Sequence, residues 1–357
     1  MNRKNSLRQI EDELDVLINN ALEQKLFSGL ALGVCLNQTT IFKKYYGFTN
    51  FSVTKHSVDS ETLFDLASLT KILATTAITL RFIDRGLIEL NNRISHFFPE
   101  ATACKDITIL QLLTHTSGEP AHFLLEKETQ SIDEVQKLLL NRPLAYKSGT
   151  KEEYSCMGFI LLGEVLKKVS GKTLDYLFEK EVKEPLKLNT AGYTPEEANN
   201  ICSTKDFGKN QILCGIVHDE NARYLNGVSA NAGLFSNLDD LLIFSKMLLK
   251  RGLTASDDIF IQPNTIDMAC QNYTPGYAEN RGLGFFLGCP GSSFGKVLEK
   301  GSFGHTGFTG TSLLINPKRH LGVVILTNRI LSDIDSSPII RFRSSLYDYL
   351  GTVFTPD

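Results

Sequence analysis

The sequence predicts an α+β fold in which an antiparallel sheet is built from both termini, flanked by helices, with a mainly helical lobe inserted between its halves. Three observations carry this reading. Near the N-terminus two strand-like runs, Gly29 to Leu36 and Thr40 to Tyr46, flank the turn pair Asn37-Gln38. Near the C-terminus two more, Thr311 to Asn316 and Leu321 to Thr327, flank Pro317-Lys318-Arg319. From about residue 90 to 280 the apolar residues recur mainly at helical spacing.

Taken in order, the chain opens with Ile10, Leu14, Val16, Leu17 and Leu22 among acids and amides. That is an amphipathic helix, with neither the apolar centre nor the cleavage site of a secretory leader. After the hairpin, Thr70 to Arg85 reads as helix and closes at Gly86, a residue suited to the left-handed C-terminal position. Further helices are expected over Ile109 to Thr114, Ile132 to Leu140, Met157 to Val169 before Gly171, and Leu238 to Leu249 before Gly252. A last one runs from about Pro338 to Tyr349. The expected organisation is a sheet-bearing lobe from residues 1–62 and 281–357, and a helical lobe from 63–280. A cleft is expected where they meet.

Composition narrows the partners. With 357 residues and 42% hydrophobic content, the chain can bury one large core or two moderate ones. A net charge of -3 without a basic block argues against nucleic acid or an anionic membrane surface as the main partner. No apolar run approaches the roughly 20 residues that span a bilayer. Seven cysteines (35, 104, 156, 202, 214, 270 and 289) include no Cys-x-x-Cys pair, so reduced thiols and a cytoplasmic location are expected. Cysteine and histidine spacings match no zinc pattern, and His218, Asp219 and Glu220 are too contiguous to converge on one ion. No metal and no cofactor is expected.

The chemistry concentrates in three motifs. Ser68-Leu69-Thr70-Lys71 places an amine one helical turn from a hydroxyl that is a weak nucleophile on its own. The Ser-x-x-Lys spacing occurs four times, also at Ser52/Lys55, Ser148/Lys151 and Ser293/Lys296. Only Ser68 stands where an apolar run (Leu63, Phe64, Leu66, Ala67) gives way to a helix, whose N-terminal dipole favours developing negative charge. The second motif is Tyr154-Ser155-Cys156, entering the helix of Phe159, Leu162 and Val165. The third is Gly304-His305-Thr306-Gly307-Phe308-Thr309-Gly310, whose glycines allow close approach of a ligand to backbone.

Together these motifs resemble the serine β-lactamase and D-alanyl-D-alanine peptidase superfamily, in its class C and esterase-like branch. The resemblance spans nearly the whole chain. It rests on Ser68-x-x-Lys71, the tyrosine triad at 154, a His-Thr-Gly form of the Lys-Thr-Gly triad at 305, and Leu112-Leu113-Thr114-His115-Thr116-Ser117-Gly118. It implies a β-lactamase/transpeptidase-like fold with Ser68 as the acylated nucleophile. Tyr154 would take its proton, as phenolate or through Lys71. The backbone amides of Ser68 and Phe308 would hold the oxyanion, and Thr306 and Gly307 would align the substrate. A phenolate base at neutral pH needs about 4 kcal/mol of stabilisation, much of which Lys71 can supply.

Two departures qualify this. Cys156 stands where the family has an asparagine that binds the substrate's acyl-amide group, and a thiol is a weak donor and poor acceptor. That favours esters over β-lactams and peptides; the plain alternative is a buried structural cysteine. His305 replaces a lysine and is neutral above about pH 7, so it acts directly, orients Tyr154, or serves as a polar strand residue. The resemblance also brings His218 and Asp219 toward the pocket, against a capped loop before Gly227. His115 reads as satisfying turn backbone more than touching substrate. The expected protein is a serine hydrolase acting on a small-molecule ester or acyl-amide substrate. Its rival is a catalytically degraded member of the fold that binds ligands or self-assembles.

Overall fold

The computed structural model describes residues 7–52, 55–196, 200–288, 294–297 and 301–354. Its centre is a six-stranded antiparallel sheet in the order β2-β1-β11-β10-β9-β8. The strands are β1 (Gly29–Leu36), β2 (Thr39–Gly47), β8 (Phe286–Leu287), β9 (Phe303–Thr306), β10 (Ser312–Asn316) and β11 (Leu321–Thr327). The two termini meet where β1 pairs with β11, Leu30 opposite Thr327 through Leu36 opposite Leu321. The β1–β2 turn holds Asn37 at φ 48° and Gln38 at φ 69°. Two consecutive positive φ values are what a tight two-residue hairpin needs to match strand twist.

The two-residue side-chain period of a strand assigns the faces. Leu30, Leu32 and Val34 join Ile10, Leu14 and Ile18 of the first helix (Leu7–Glu23), and Ile339, Phe342 and Leu346 of the last (Ser336–Val353). The alternate residues Ala31 and Cys35 face the helix Leu238–Leu249, inside the segment read as the helical lobe. Gly33 lies on that face, where a Cβ would sit 2.8 Å from the Leu242 side chain. The largely buried helix Cys156–Ser170 ends at Gly171 with φ 67°.

Two features differ from expectation. The segment 70–85 is not one regular helix: Lys71–Thr76 forms a π-type turn that passes into an α-helix over Ala77–Asp84. The middle of the chain also contains short strands. β3 (Phe64–Asp65), β4 (Gly192–Tyr193) and β7 (Leu234–Ser236) form one small sheet, and β5 (Thr204–Asp206) and β6 (Gln211–Leu213) a hairpin. Strands of two or three residues are too short for alternation to register. No helix of the described residues is long and apolar enough to cross a membrane. The described cysteines are all free; Cys289 lies outside the described residues.

One side chain ties the sheet to both halves of the chain. Asn328, 1% exposed, accepts from Ser28 N and Gly29 N at 3.1 Å each. Its amide donates to Ser28 Oγ, Thr49 O and Ser203 O at 2.8, 3.2 and 3.0 Å. Truncation would strand several buried polar groups at once. Asn328→Ala should therefore lower unfolding free energy by about 3 kcal/mol, measured by urea denaturation.

Candidate active site

The chain reaches Ser68 through a latched turn. Asp65 in β3 pairs with Phe235 of β7, and Leu66 N donates to Leu234 O at 2.9 Å. The buried Asp65 carboxylate accepts Ala67 N at 2.8 Å and His218 N at 2.7 Å. Burial raises its pKa to about 6 against the pull of those N–H groups. Ala67 then adopts φ 46°, a left-handed turn that sets Ser68 just ahead of the helix. From the opposite side Thr309 Oγ1 donates to Asp65 O at 2.7 Å and Thr311 Oγ1 to Leu66 O at 3.1 Å. Threonine hydroxyls at the third-motif turn are thus bonded to the backbone that leads into the first motif.

Lys71 is fully buried. Its Nζ donates to Ser68 Oγ at 3.1 Å, to Asn231 O at 2.9 Å and toward Cys156 Sγ at 3.6 Å. An ammonium has three hydrogens, and here three acceptors meet them.

Tyr154 is carried by a strap, residues 114–125, that receives the second motif's donors. Glu153 N bonds His115 O at 2.9 Å, Ser155 Oγ bonds Pro120 O at 2.7 Å and Cys156 N bonds Ala121 O at 2.9 Å. Ser155 also caps the following helix through Gly158 N at 2.9 Å. His115 Nδ1 accepts Ser155 N at 3.1 Å, and its ring lies against Tyr154 at 4.5 Å between centroids. The Tyr154 hydroxyl is buried and meets no partner at hydrogen-bonding geometry among the described residues, with Lys71 Nζ 4.9 Å from its ring centre.

The third motif runs along β9 into the turn at Gly307. A Cβ there would lie 2.1 Å from Thr311 Oγ1 and 2.7 Å from Leu66 O, so only glycine fits. Ser68 N and Phe308 N donate to no acceptor among the described residues, whereas Gly307 N is used by Thr311 O at 2.7 Å. Two unengaged N–H groups beside a serine hydroxyl are what an oxyanion requires.

Ser68, Tyr154, His305, Thr306, Gly307 and Phe308 line one cleft of ≈ 410 Å³ with Arg281, Phe286, Arg329 and Arg343. Sequence reading missed the arginines. Arg281 Nε bonds Glu152 Oε1 at 2.9 Å in a buried ion pair, and its guanidinium lies 5.6 Å from the Tyr154 ring centre. Glu152 stands two residues before Tyr154, but its partner is 129 residues away, and no local signal links them. Arg329 and Arg343 form no ion pair among the described residues, and burial lowers the pKa of both. His218 and Asp219 stay behind the lining. His218 uses Nε2 on Lys205 O at 3.2 Å with its ring 5.5 Å from Phe308, and Asp219 caps the helix at Ala222 N, 2.8 Å away.

The Beta-lactamase family profile matches residues 14–334. The chain belongs to the beta-lactamase family. Among curated proteins it is 31% identical to the "N-acetylmuramyl-L-alanine amidase" of Bacillus subtilis (strain 168), over 85% of this chain and 77% of that protein. It is 29% identical to a "Putative D-alanyl-D-alanine carboxypeptidase" of Salmonella paratyphi B, over 80% of this chain and 74% of that one. A putative beta-lactamase from Bacteroides dorei superposes with a TM-score of 0.73 at 18% identity, covering 96% of this chain and 98% of that chain. The octameric penicillin-binding protein homologue from Pyrococcus abyssi gives 0.73 at 20% identity, covering 96% and 77%. At such identities the structural neighbours establish the fold alone.

In this beta-lactamase-family site the charge state follows from surroundings. Burial acts to lower the Lys71 pKa, but Cys156 and Tyr154 beside it more than offset that, leaving it above the ordinary lysine value. Burial pushes the Tyr154 phenol up, with the Lys71 charge opposing. The resting pair is therefore ammonium plus phenol, and one proton must leave before either serves as a base. If Ser68 is the nucleophile, its acylation should climb from about pH 7 to pH 10, and Tyr154→Phe should remove the climb, read by stopped-flow release of p-nitrophenol. A flat profile over that range would exclude this pair as the base.

Glu119, on the strap, is fully buried with both carboxyl oxygens unpartnered among the described residues. Burial drives its pKa from 4.5 to about 8, Arg142 opposing. The folded state thus keeps a proton that the unfolded chain releases. The contribution is intact below about pH 4.5 and disappears as pH rises toward 8. Calorimetry should show Glu119→Gln raising Tm at pH 8 and leaving it unchanged at pH 4.5.

Proposed function

We propose that the protein is a serine hydrolase that works through an acyl-enzyme on Ser68, with small acyl-amide compounds as its main substrates and carboxylic esters as chemically easier ones. The observation that carries this reading is the 3.1 Å contact from the buried Lys71 Nζ to Ser68 Oγ, with two unengaged backbone N–H groups at the same mouth. The geometry lets Ser68 Oγ attack a carbonyl carbon while its proton passes to the Tyr154–Lys71 pair once that pair has lost its surplus proton. The oxyanion then lies against Ser68 N and Phe308 N, and the same pair returns the proton to the leaving atom. Water repeats the attack on the acyl-enzyme in reverse order of proton transfer.

Two curated relatives, one named as an amidase and one as a putative carboxypeptidase, support amides as the main substrates. Two arginines in the cleft lining, Arg329 and Arg343, suit a substrate with an anionic group. Cys156 tempers the amide reading, since its thiol offers little to an acyl-amide group.

A fluorophosphonate probe and p-nitrophenyl acetate test the proposal together. The expected result is a p-nitrophenol burst and an adduct mapped to Ser68 by mass spectrometry, both absent in Ser68→Ala. Lys71→Ala should slow acylation by about 10²–10⁴-fold with the fold retained. If neither reagent labels Ser68 in the intact protein, the rival reading, a ligand-binding member of the fold, takes its place.

A further inference from the structure

His305 is buried, lines the cleft with Ser68 and Tyr154, and has two ring nitrogens in different situations. Nδ1 lies 2.8 Å from the carbonyl oxygen of Thr306. A carbonyl only accepts, so Nδ1 carries a proton. Burial, with Lys71 and Arg281 nearby, drives the imidazole pKa to about 3, so the ring is neutral and Nε2 keeps a bare lone pair. That Nε2 is buried and finds no donor among the described residues. His115 is the reverse case: its Nδ1 accepts Ser155 N, which puts its proton on Nε2.

No donor among the described residues is bonded to His305 Nε2, the unpartnered Tyr154 hydroxyl included. Lys71 is engaged by Ser68, Asn231 and Cys156, and Arg281 Nε turns to Glu152. A buried acceptor without a donor is costly, and in a substrate cleft the substrate is the natural source of one. Tyr154, the residue that handles the leaving atom in the proposed reaction, has its ring 5.8 Å from that of His305.

We infer that His305 reads the leaving side of the substrate, accepting through Nε2 a hydrogen bond from an N–H or O–H of the leaving group. The inference rests on the acyl-enzyme reading and names the substrate class of that cleft. It selects acylated amines, which carry an N–H at the scissile bond, over alkyl esters, which carry none. A lysine at this position would offer only donors and select an acceptor or an anion. The neutral histidine reverses that preference.

Phenylboronic acid provides the test on the intact protein. Ser68 Oγ forms a bond to boron, its proton leaves to solvent, and the tetrahedral adduct keeps boron hydroxyls, one of them where the leaving group would be. With histidine ¹⁵N-labelled, the resting enzyme should show His305 with Nε2 unprotonated from about pH 9 to pH 5, and the adduct should move that resonance toward the hydrogen-bonded range. His305→Phe should weaken boronate binding about tenfold, and His305→Gln, whose carbonyl accepts, should restore most of it. The inference is overturned by a protonated Nε2 in the resting enzyme, by an adduct that leaves Nε2 unmoved, or by a Gln variant as weak as Phe. A resting Nε2 signal that shifts in Tyr154→Phe would overturn it too, since the phenol would then be the donor. Failure of the acyl-enzyme reading looks different: no tetrahedral ¹¹B signal forms, or the signal survives in Ser68→Ala.

Discussion

A buried ammonium has to be answered on every side, and in this protein that requirement falls on Lys71. A charge with no exposure is severely penalised unless each of its hydrogens meets an acceptor. The acceptors come from three distant parts of the chain: Ser68 in the preceding turn, Cys156 at a helix start, and the carbonyl of Asn231. Fixing the lysine therefore fixes the loop 229–234, which lies along the π-type turn through Thr75 Oγ1 on Ala230 O and Leu234 N on Thr70 Oγ1. π-Turns concentrate at functional sites, and this one begins at Lys71 itself. From there β7 pairs with β3, β3 latches to the third motif, and the cleft follows.

The framework was legible in sequence where the signal was long. The terminal strand pairs and the helix before Gly171 rest on many residues of consistent period, and the structure places them within a residue or two of expectation. The strands of two or three residues that position Ser68 were not legible, because alternation needs length. Among site residues, Ser68, Lys71, Tyr154 and His305 stood out through motif order. Glu152, Asn231 and Arg281 did not, because each acts on a residue far off in sequence or through its backbone. Tautomers are equally invisible there: nothing in the letters His115 and His305 says that opposite nitrogens carry the proton.

Cys156 shows how one substitution redistributes work. An asparagine could give a donor to substrate and an acceptor to lysine at once, whereas the thiol keeps only a long contact to Lys71 at 3.6 Å. Its hold on the lysine is weak, so the Asn231 carbonyl at 2.9 Å carries more of it. In the proposed reaction, recognition of an amide must then come from elsewhere in the cleft, and the bare Nε2 of His305 is an acceptor suited to it.

The neutrality of His305 also bears on the two cations beside it. Lys71 and Arg281 both act to lower its pKa, and a third positive charge between them would meet like charges across a low-dielectric gap. Arg281 is held by the Glu152 carboxylate, and Lys71 by a hydroxyl, a carbonyl and the Cys156 sulfur. An imidazolium would therefore press hardest on Lys71, driving it toward the amine and erasing the ammonium that, in the proposed reaction, helps Tyr154 shed its proton. Keeping position 305 uncharged preserves that ammonium. The same choice that denies the cleft a cation at the third motif leaves the first motif's cation in place.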